Sequence, residues 1–457
     1  MTRATSSPGE WTGRAERVPP AFVHDLNTCV GCHACALACI NENQLAPGGF
    51  WRQIVSVNPQ RRPGLPTFHL SLACNHCLDA PCLHHCPALA ISRDAVTGAV
   101  LIDDCSCIGC RYCSWVCPYD APRFNDARGV MQKCTLCAHR LRDGLQPACV
   151  SLCPTGALRM GEYRPGPDPD VTGFPSRGIR PVIRFIPLSG RTPLEPADPD
   201  EVAAAETAWR ELAGTVAPAP RKISLRSEWT LAAFSFAAIV LVAWMAAWSM
   251  GGPAPPSWIV GGGGGAMVLS TLHLGRKGRA WRAMLNWRRS WLSREVIAYP
   301  VFLALAFVAV VAAPGHPVAG AAAVLAGIAC LTAVDRVYVS MARSARARLD
   351  DATATLSAAF LAGTAVGLPW LAIPMGVVRL LGFLSRQSHR TGGRRRWSHP
   401  IIAGRIGVGL VLPLVLWLAQ GAASWPWTVG CAIVGEAWDR ADFYDALDVI
   451  APGGVRS

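Results

Sequence analysis

Residues 29–39 read CVGCHACALAC and residues 107–118 read CIGCRYCSWVCP. In both, three cysteines two residues apart are followed by a fourth after three more. The first run supplies Cys29, Cys32, Cys35 and Cys39; the other supplies Cys107, Cys110, Cys113 and Cys117. Two further runs share the ending with a wider interior: Cys74, Cys77, Cys82 and Cys86, then Cys134, Cys137, Cys149 and Cys153. Sixteen of the nineteen cysteines are thus accounted for in four groups of four. Pro87, Pro118 and Pro154 follow the last cysteine of three groups.

The spacing is a matter of reach. Three thiolates on a tight loop can grip three irons of one cubane, and the fourth points away to a second cluster, as in two-cluster ferredoxins. The proline helps stop the chain from closing back on its own site. Pairs of C-x2-C alone suggest zinc, and disulfides require an oxidising compartment. Neither accounts for four C-x3-C endings, so four iron–sulfur clusters are expected. Cys105 falls outside the pattern, and Cys330 and Cys431 lie in apolar stretches, where packing is the expected role.

Around this core the composition divides. At 457 residues more than one domain is expected. The boundaries read as a cluster domain at 1–160, a Pro- and Asp-rich linker at 161–226 and an apolar membrane domain at 227–457. Within the linker, Phe174–Leu188 has the character of a strand laid on the cluster domain or on a partner. The first 28 residues hold no apolar core and no twin arginine, so export by an N-terminal address is not expected. The net charge is +13, but the basic residues gather in loops between apolar runs, which favours a membrane and argues against nucleic acid.

A spanning helix needs about 20 apolar residues. The candidates are Trp229–Trp248, Trp258–Leu274, Val296–Ala313, Pro317–Val334, Pro400–Ala419 and a short Ser424–Gly435 that would extend toward Trp438. Thr353–Leu384 is too long for one ordinary span and is broken near Gly367. If it crosses twice, the basic blocks Arg221–Arg226, Arg276–Arg294, Arg336–Arg348 and Arg386–Arg396 all fall on one face. The positive-inside tendency therefore favours eight helices over seven, with the cluster domain on the cytoplasmic face of the inner membrane. Basic loops that dock the cluster domain would give the same pattern.

The segment HLGRKGRAWRAMLNWRRSWLSRE, from His273 to Glu295, joins the second and third spans. Ionisable groups at a membrane boundary invite a functional reading; His and a carboxylate can pass the protons that accompany quinone chemistry. A helix cap at His273 and an ion pair between Glu295 and a nearby arginine are the plain alternatives, and spacing does not choose between them. Trp281, Trp287 and Trp291 fit an interfacial belt.

The cysteine pattern resembles the four-cluster B subunits of the dimethyl sulfoxide reductase branch of the molybdopterin oxidoreductases. HLG-x-x-x-RAW-x-A with SWLSRE resembles the DmsC-type membrane anchor, as does the C-terminal GEAWDRADFYDAL, whose default role is helix-end packing. The two subunits, usually separate, would here be fused. The resemblance implies an α+β tandem ferredoxin-like domain followed by an all-α bundle. It implies the cluster sets Cys29/Cys32/Cys35/Cys153, Cys134/Cys137/Cys149/Cys39, Cys74/Cys77/Cys82/Cys117 and Cys107/Cys110/Cys113/Cys86. In relatives such as the electron-transfer component of nitrate reductase, a Trp at the second cysteine of the third group gives a three-iron cluster; here that position is Cys110, so four [4Fe-4S] clusters are expected.

It also implies a quinone site (menaquinone or ubiquinone) at His273 and Glu295, with Arg276, Arg279 and Arg282 available to hold the loop against the cluster domain. The implied relay runs from the first cysteine triple to the Cys107/Cys110/Cys113 cluster near His273. A molybdopterin catalytic subunit would be a separate chain. The spans offer His273 almost alone as an inward His, so no heme is expected. The sequence leaves open a reductase drawing on menaquinol and a sulfite dehydrogenase feeding quinone, with a slight tilt to the latter. A stand-alone, carrier-linked quinone oxidoreductase and an anchor with merely structural clusters are the other readings.

Overall fold

The computed structural model describes residues 19–46, 49–58, 66–166, 169, 171, 174–175, 178–189, 223–252, 257–314, 316–341, 353–390, 403–420 and 425–447. The chain separates into two units, Met1–Ala219 with Ile450–Ser457, and Pro220–Val449.

The first unit is built from short strands and shorter helices. Strand β1 (Pro20–Asp25) lies between antiparallel β8 (Leu158–Glu162) and parallel β9 (Ile183–Ile186). Three hairpins fill the interval: β2 (Gln53–Val57) with β3 (Phe68–Leu72), β4 (Ile91–Arg93) with β5 (Val100–Ile102), and β6 (Arg123–Asn125) with β7 (Val130–Gln132). The linker segment that sequence reads as a strand contributes β9. It is held by bonds from Val182 N to Asn75 O and from Leu78 N to Arg180 O, both 2.9 Å, and Phe174 stacks on Tyr119.

Each C-x3-C step begins on a short helix: α1 (Ala34–Glu42), α2 (Pro81–His85), α3 (Tyr112–Val116) and α5 (Ala148–Ser151), with α4 (Ala138–Arg142) preceding the last. A residue before proline is driven to extended backbone. Cys86 and Cys117 are accordingly extended, at φ −64°, ψ 113° and φ −87°, ψ 114°, and they end α2 and α3. Cys39 has no proline behind it and stays within α1. Ahead of the helices the chain turns through left-handed residues, His33, Arg111 and Cys137 among them. Such backbone is costly for a residue with a Cβ; here it aims N–H groups inward, so that His76, Gly109 and Leu136 each donate to the cysteine two residues back, at 3.4–3.5 Å.

The second unit is helical: α6 (Leu225–Ser249), α7 (Ser257–Thr271), α8 (Trp291–Phe307, continued as a π turn Val308–Ala312), α9 (Pro317–Val339), α10 (Thr353–Val366), α11 (Pro369–Arg390), a π-helical stretch Ala403–Val411 leading into α12 (Leu412–Gln420), and α13 (Trp425–Ala446). Among the described residues three helices are long and apolar enough to cross a membrane, Leu225–Ser249, Trp291–Ala312 and Pro317–Val339; Thr353–Val366 and Gly404–Ala419 are shorter apolar helices.

The long apolar run divides at Gly367, φ +72°, and Pro369 opens the next helix, a first-turn position that suits its missing N–H. Glycine lets helices touch elsewhere. A Cβ on Gly435 would lie 2.1 Å from Gly409 Cα, so α13 and the π-helical stretch meet backbone to backbone.

The last helix extends toward Trp438, as expected, and on to Ala446. One expectation is corrected. The basic blocks are not wholly loops: Arg336 lies in α9, and Arg386 lies in α11 with 5% of its surface exposed. A charge at a helix end can be drawn inward when carboxylates await it, as they do here.

Candidate functional site

The described cysteines of the first unit gather into sets drawn from separate groups. One cavity is lined by Cys29, Cys32, Cys35 and Cys153, a second by Cys74, Cys77, Cys82 and Cys117, and a third by Cys86, Cys107, Cys110 and Cys113. The remaining set is Cys39 with Cys134, Cys137 and Cys149, which are electrostatic neighbours. The empty space at the three sites, open solvent included, is about 300, 360 and 330 Å³. Among the described residues no three His, Cys, Asp or Glu side chains converge as ligands of a single ion. Zinc would require thiolates about 2.3 Å from one point; a cavity ringed by four thiols suits a larger inorganic group. Cys105 is exposed and Cys330 buried, both apart from these sets.

Burial dominates the chemistry of these thiols. Desolvation pushes Cys39 and Cys82 up to about 12 and Cys86 up to about 11. Bare, they hold their protons at neutral pH, and a metal must displace them. Backbone donors wait for the resulting charge: Ala90 N faces Cys86 Sγ at 3.3 Å, Met131 N faces Cys107 Sγ at 3.4 Å and Leu158 N faces Cys153 Sγ at 3.4 Å. N–H donors to cluster sulfurs are among the levers that set redox potential.

Polar groups that the spacing of cysteines does not announce complete the surroundings. Arg52, His76 and Lys133 are each at most 3% exposed. His76 Nδ1 accepts from Val100 N at 2.9 Å, and burial, reinforced by Lys133, holds the ring well below its ordinary pKa, so it stays neutral. His24, fully buried, lines the first cavity and pairs its Nε2 with His69 O at 2.9 Å. A cation or His in a strand or turn carries no local signal of what it will face.

In the second unit, His273 follows α7 and is half-buried, with its Nδ1 against Ser270 O. Glu295 lies near the start of α8, 8% exposed, within electrostatic range of Arg440 on α13. Arg276 is exposed and Arg279 half-buried, the latter in a 3-10 turn (Lys277–Met284). Trp281 and Trp287 are more than half exposed, each faced by an arginine at 5.4 Å.

The charges of GEAWDRADFYDAL are not helix-end packing. Glu436, Asp439 and Asp442 meet Arg379, Arg386 and Arg405 in one buried network. Arg440 bonds Ser235 at 2.9 Å and Thr353 at 3.3 Å and faces the ring of Tyr338, whose hydroxyl meets that of Tyr444. The available signal was an arginine inside an otherwise apolar span, at Arg379 and at Arg405.

Residues 66–163 match the 4Fe-4S dicluster domain family, and residues 257–333 match the DMSO reductase anchor subunit (DmsC) family. The chain is 33% identical over 222 residues to the B subunit of sulfite dehydrogenase from Allochromatium vinosum, covering 42% of this chain and 91% of that protein. It is 38% identical over 151 residues to the B subunit of anaerobic dimethyl sulfoxide reductase from Escherichia coli, covering 31% and 72%. The B subunit of tetrathionate reductase from Salmonella typhimurium is 38% identical over 146 residues, covering 32% and 58%.

Proposed function

For a chain that belongs to the dimethyl sulfoxide reductase family of iron–sulfur electron-transfer subunits and carries a DmsC membrane anchor, we propose a relay between a quinone pool and a molybdopterin catalytic subunit on another chain. Four [4Fe-4S] clusters, one per cysteine set, would pass single electrons. The observation that carries the reading is the gathering of sixteen cysteines into four sets, in one polypeptide with the anchor.

The chain's own residues have definable tasks. The paired loops hold each set, and the N–H groups of Ala90, Met131 and Leu158 offset the negative charge of the thiolates. His273 and Glu295 serve the quinone, His273 as a hydrogen-bonding and proton-exchanging group at the end of α7 and Glu295 as the buried carboxylate that takes or gives a proton. Arg276 and Arg279 belong to the same site. We place the anchor in the inner membrane as eight helices with the cluster unit in the cytoplasm, since each basic block then falls on one face.

The partner we propose oxidises sulfite and sends electrons to quinone; the support is the alignment across 91% of the sulfite dehydrogenase relative. Purification of the complex with its neighbour should yield molybdenum and sulfite-dependent quinone reduction. His273→Arg should abolish quinone-linked turnover while the cluster spectra stay intact. Full turnover in that variant, or a preparation that reduces quinone with no second polypeptide, overturns the reading.

A further inference from the structure

Two buried cations stand where cysteine sets adjoin. Arg52, just ahead of β2, is 2% exposed, and its guanidinium lies 4.5 Å from the centre of the Phe22 ring. Its Nη1 donates to Ser71 Oγ at 2.9 Å and to Ser71 O at 3.2 Å. Ser71 Oγ in turn lies 3.3 Å from Cys35 Sγ, in the set with Cys29. The same guanidinium is within electrostatic range of Cys149, Cys134 and Cys39, the neighbouring set. Lys133 repeats the arrangement one step on. It is 3% exposed, donates to Cys134 O at 3.3 Å and to Val100 O, and faces Cys74 and Cys82 of the next set as well as Cys134.

Among the described residues neither cation forms an ion pair with a carboxylate, and Arg52 Nη2 has no hydrogen-bond partner. An uncompensated buried charge is strongly unfavourable. The thiolates are the available counter-charge, and a cluster held by four of them is net negative and becomes more so on reduction.

We propose that Arg52 and Lys133 are shared potential-setting residues, Arg52 for the clusters of the Cys29 and Cys134 sets and Lys133 for those of the Cys134 and Cys74 sets. This rests on the four-cluster reading above. A fixed cation stabilises an added electron on either side of it, so it raises the potential of both neighbours. Among the described residues, no cation lines the cavity of the fourth set. Its cavity is lined, besides the cysteines, by Pro87, alanines, isoleucines and Met131.

The test is an EPR-monitored redox titration of the full chain, prepared anaerobically, with each signal assigned through Cys→Ser variants. Arg52→Met should move two signals to lower potential, Lys133→Met two, with the Cys134-set cluster common to both and the Cys107-set cluster unmoved. Arg52→Lys should restore the Cys134-set potential. If Arg52→Met loses iron, Arg52→Gln, which can still donate to Ser71, carries the same expectation. Iron and sulfide well short of four clusters in the unmodified chain would sink the cluster reading and this inference with it. Four clusters whose potentials do not follow the paired pattern overturn this inference alone, as does loss of iron from both uncharged Arg52 variants, which would make the residue structural.

Discussion

Arg379 donates a hydrogen bond to Glu436 Oε2 across 3.2 Å, and neither side chain exposes more than 3% of its surface. Ser357 donates to the same oxygen at 2.5 Å, and Arg405 approaches Oε1 at 2.7 Å. Asp439 takes both Arg379 and Arg386, and Asp442 lies 3.6 Å from Arg386. Three guanidinium groups thus face three carboxylates inside a largely apolar helical bundle. Mutual neutralisation makes such burial tolerable, and it ties α10, α11, α13 and the π-helical stretch together at one polar node.

Removing one member strands the others. Glu436→Ala leaves Arg379 and Arg405 short of counter-charge, and the loss should be about 3–5 kcal/mol of stability. Helix content followed through an SDS titration in mixed micelles measures it. A change below about 1 kcal/mol would show that the node is solvated.

The approach of Gly435 to Gly409 makes a separate prediction. Gly435→Ala places a methyl 2.1 Å from Gly409 Cα, where no side chain can rotate away. Overpacking of this kind costs about 1–3 kcal/mol or more. The same titration should show an earlier midpoint for this variant, whereas Gly430→Ala, where a Cβ meets open space, should behave as the unmodified protein.

The cysteine sets predict which variants share a phenotype. Cys153→Ser should lose the same EPR signal as Cys29→Ser, although the two lie at opposite ends of the cluster unit's sequence, and Cys39→Ser the same signal as Cys137→Ser. If Cys39→Ser instead copied Cys32→Ser, the sets would be wrong. Removal of iron by a chelator should destabilise the cluster unit, because binding energy at such sites is folding energy.

Glu42, at the end of α1, accepts from His139 at 2.8 Å and Arg140 at 2.9 Å, tying the first cysteine group to the fourth. The hydrogen bond from His139, helped by Arg140, holds its carboxyl below the ordinary glutamate range. A depressed folded-state value means the contribution is complete above the unfolded value of about 4.3 and disappears as pH falls through the lower, folded one. The group is solvent-facing, so the effect should be small. Between about pH 5 and pH 3, the thermal midpoint of the metal-loaded protein should fall less in Glu42→Gln than in the unmodified protein.

Much of the first unit was legible because ligand spacing is a local property. C-x2-C and C-x3-C steps describe one loop and one helical turn, and Pro87 and Pro118 predict by sterics alone where α2 and α3 stop. The pairing of sets was implied by a resemblance rather than by spacing, since Cys29 and Cys153 are brought together by long-range contacts such as the β1–β8 ladder. The break at Gly367 was likewise local, whereas the extent of α13 was not: Glu436, Asp439 and Asp442 look like a polar exit from the membrane until the arginines of other helices are set against them.

The sequence by itself determined the donor atoms, their number and the apolar stretches, because each follows from residue type and spacing along a few turns of chain. Only the tertiary structure decided what Arg52, Lys133, Arg379 and Arg405 face, because the worth of a buried charge depends on counter-charges that come from elsewhere in the fold.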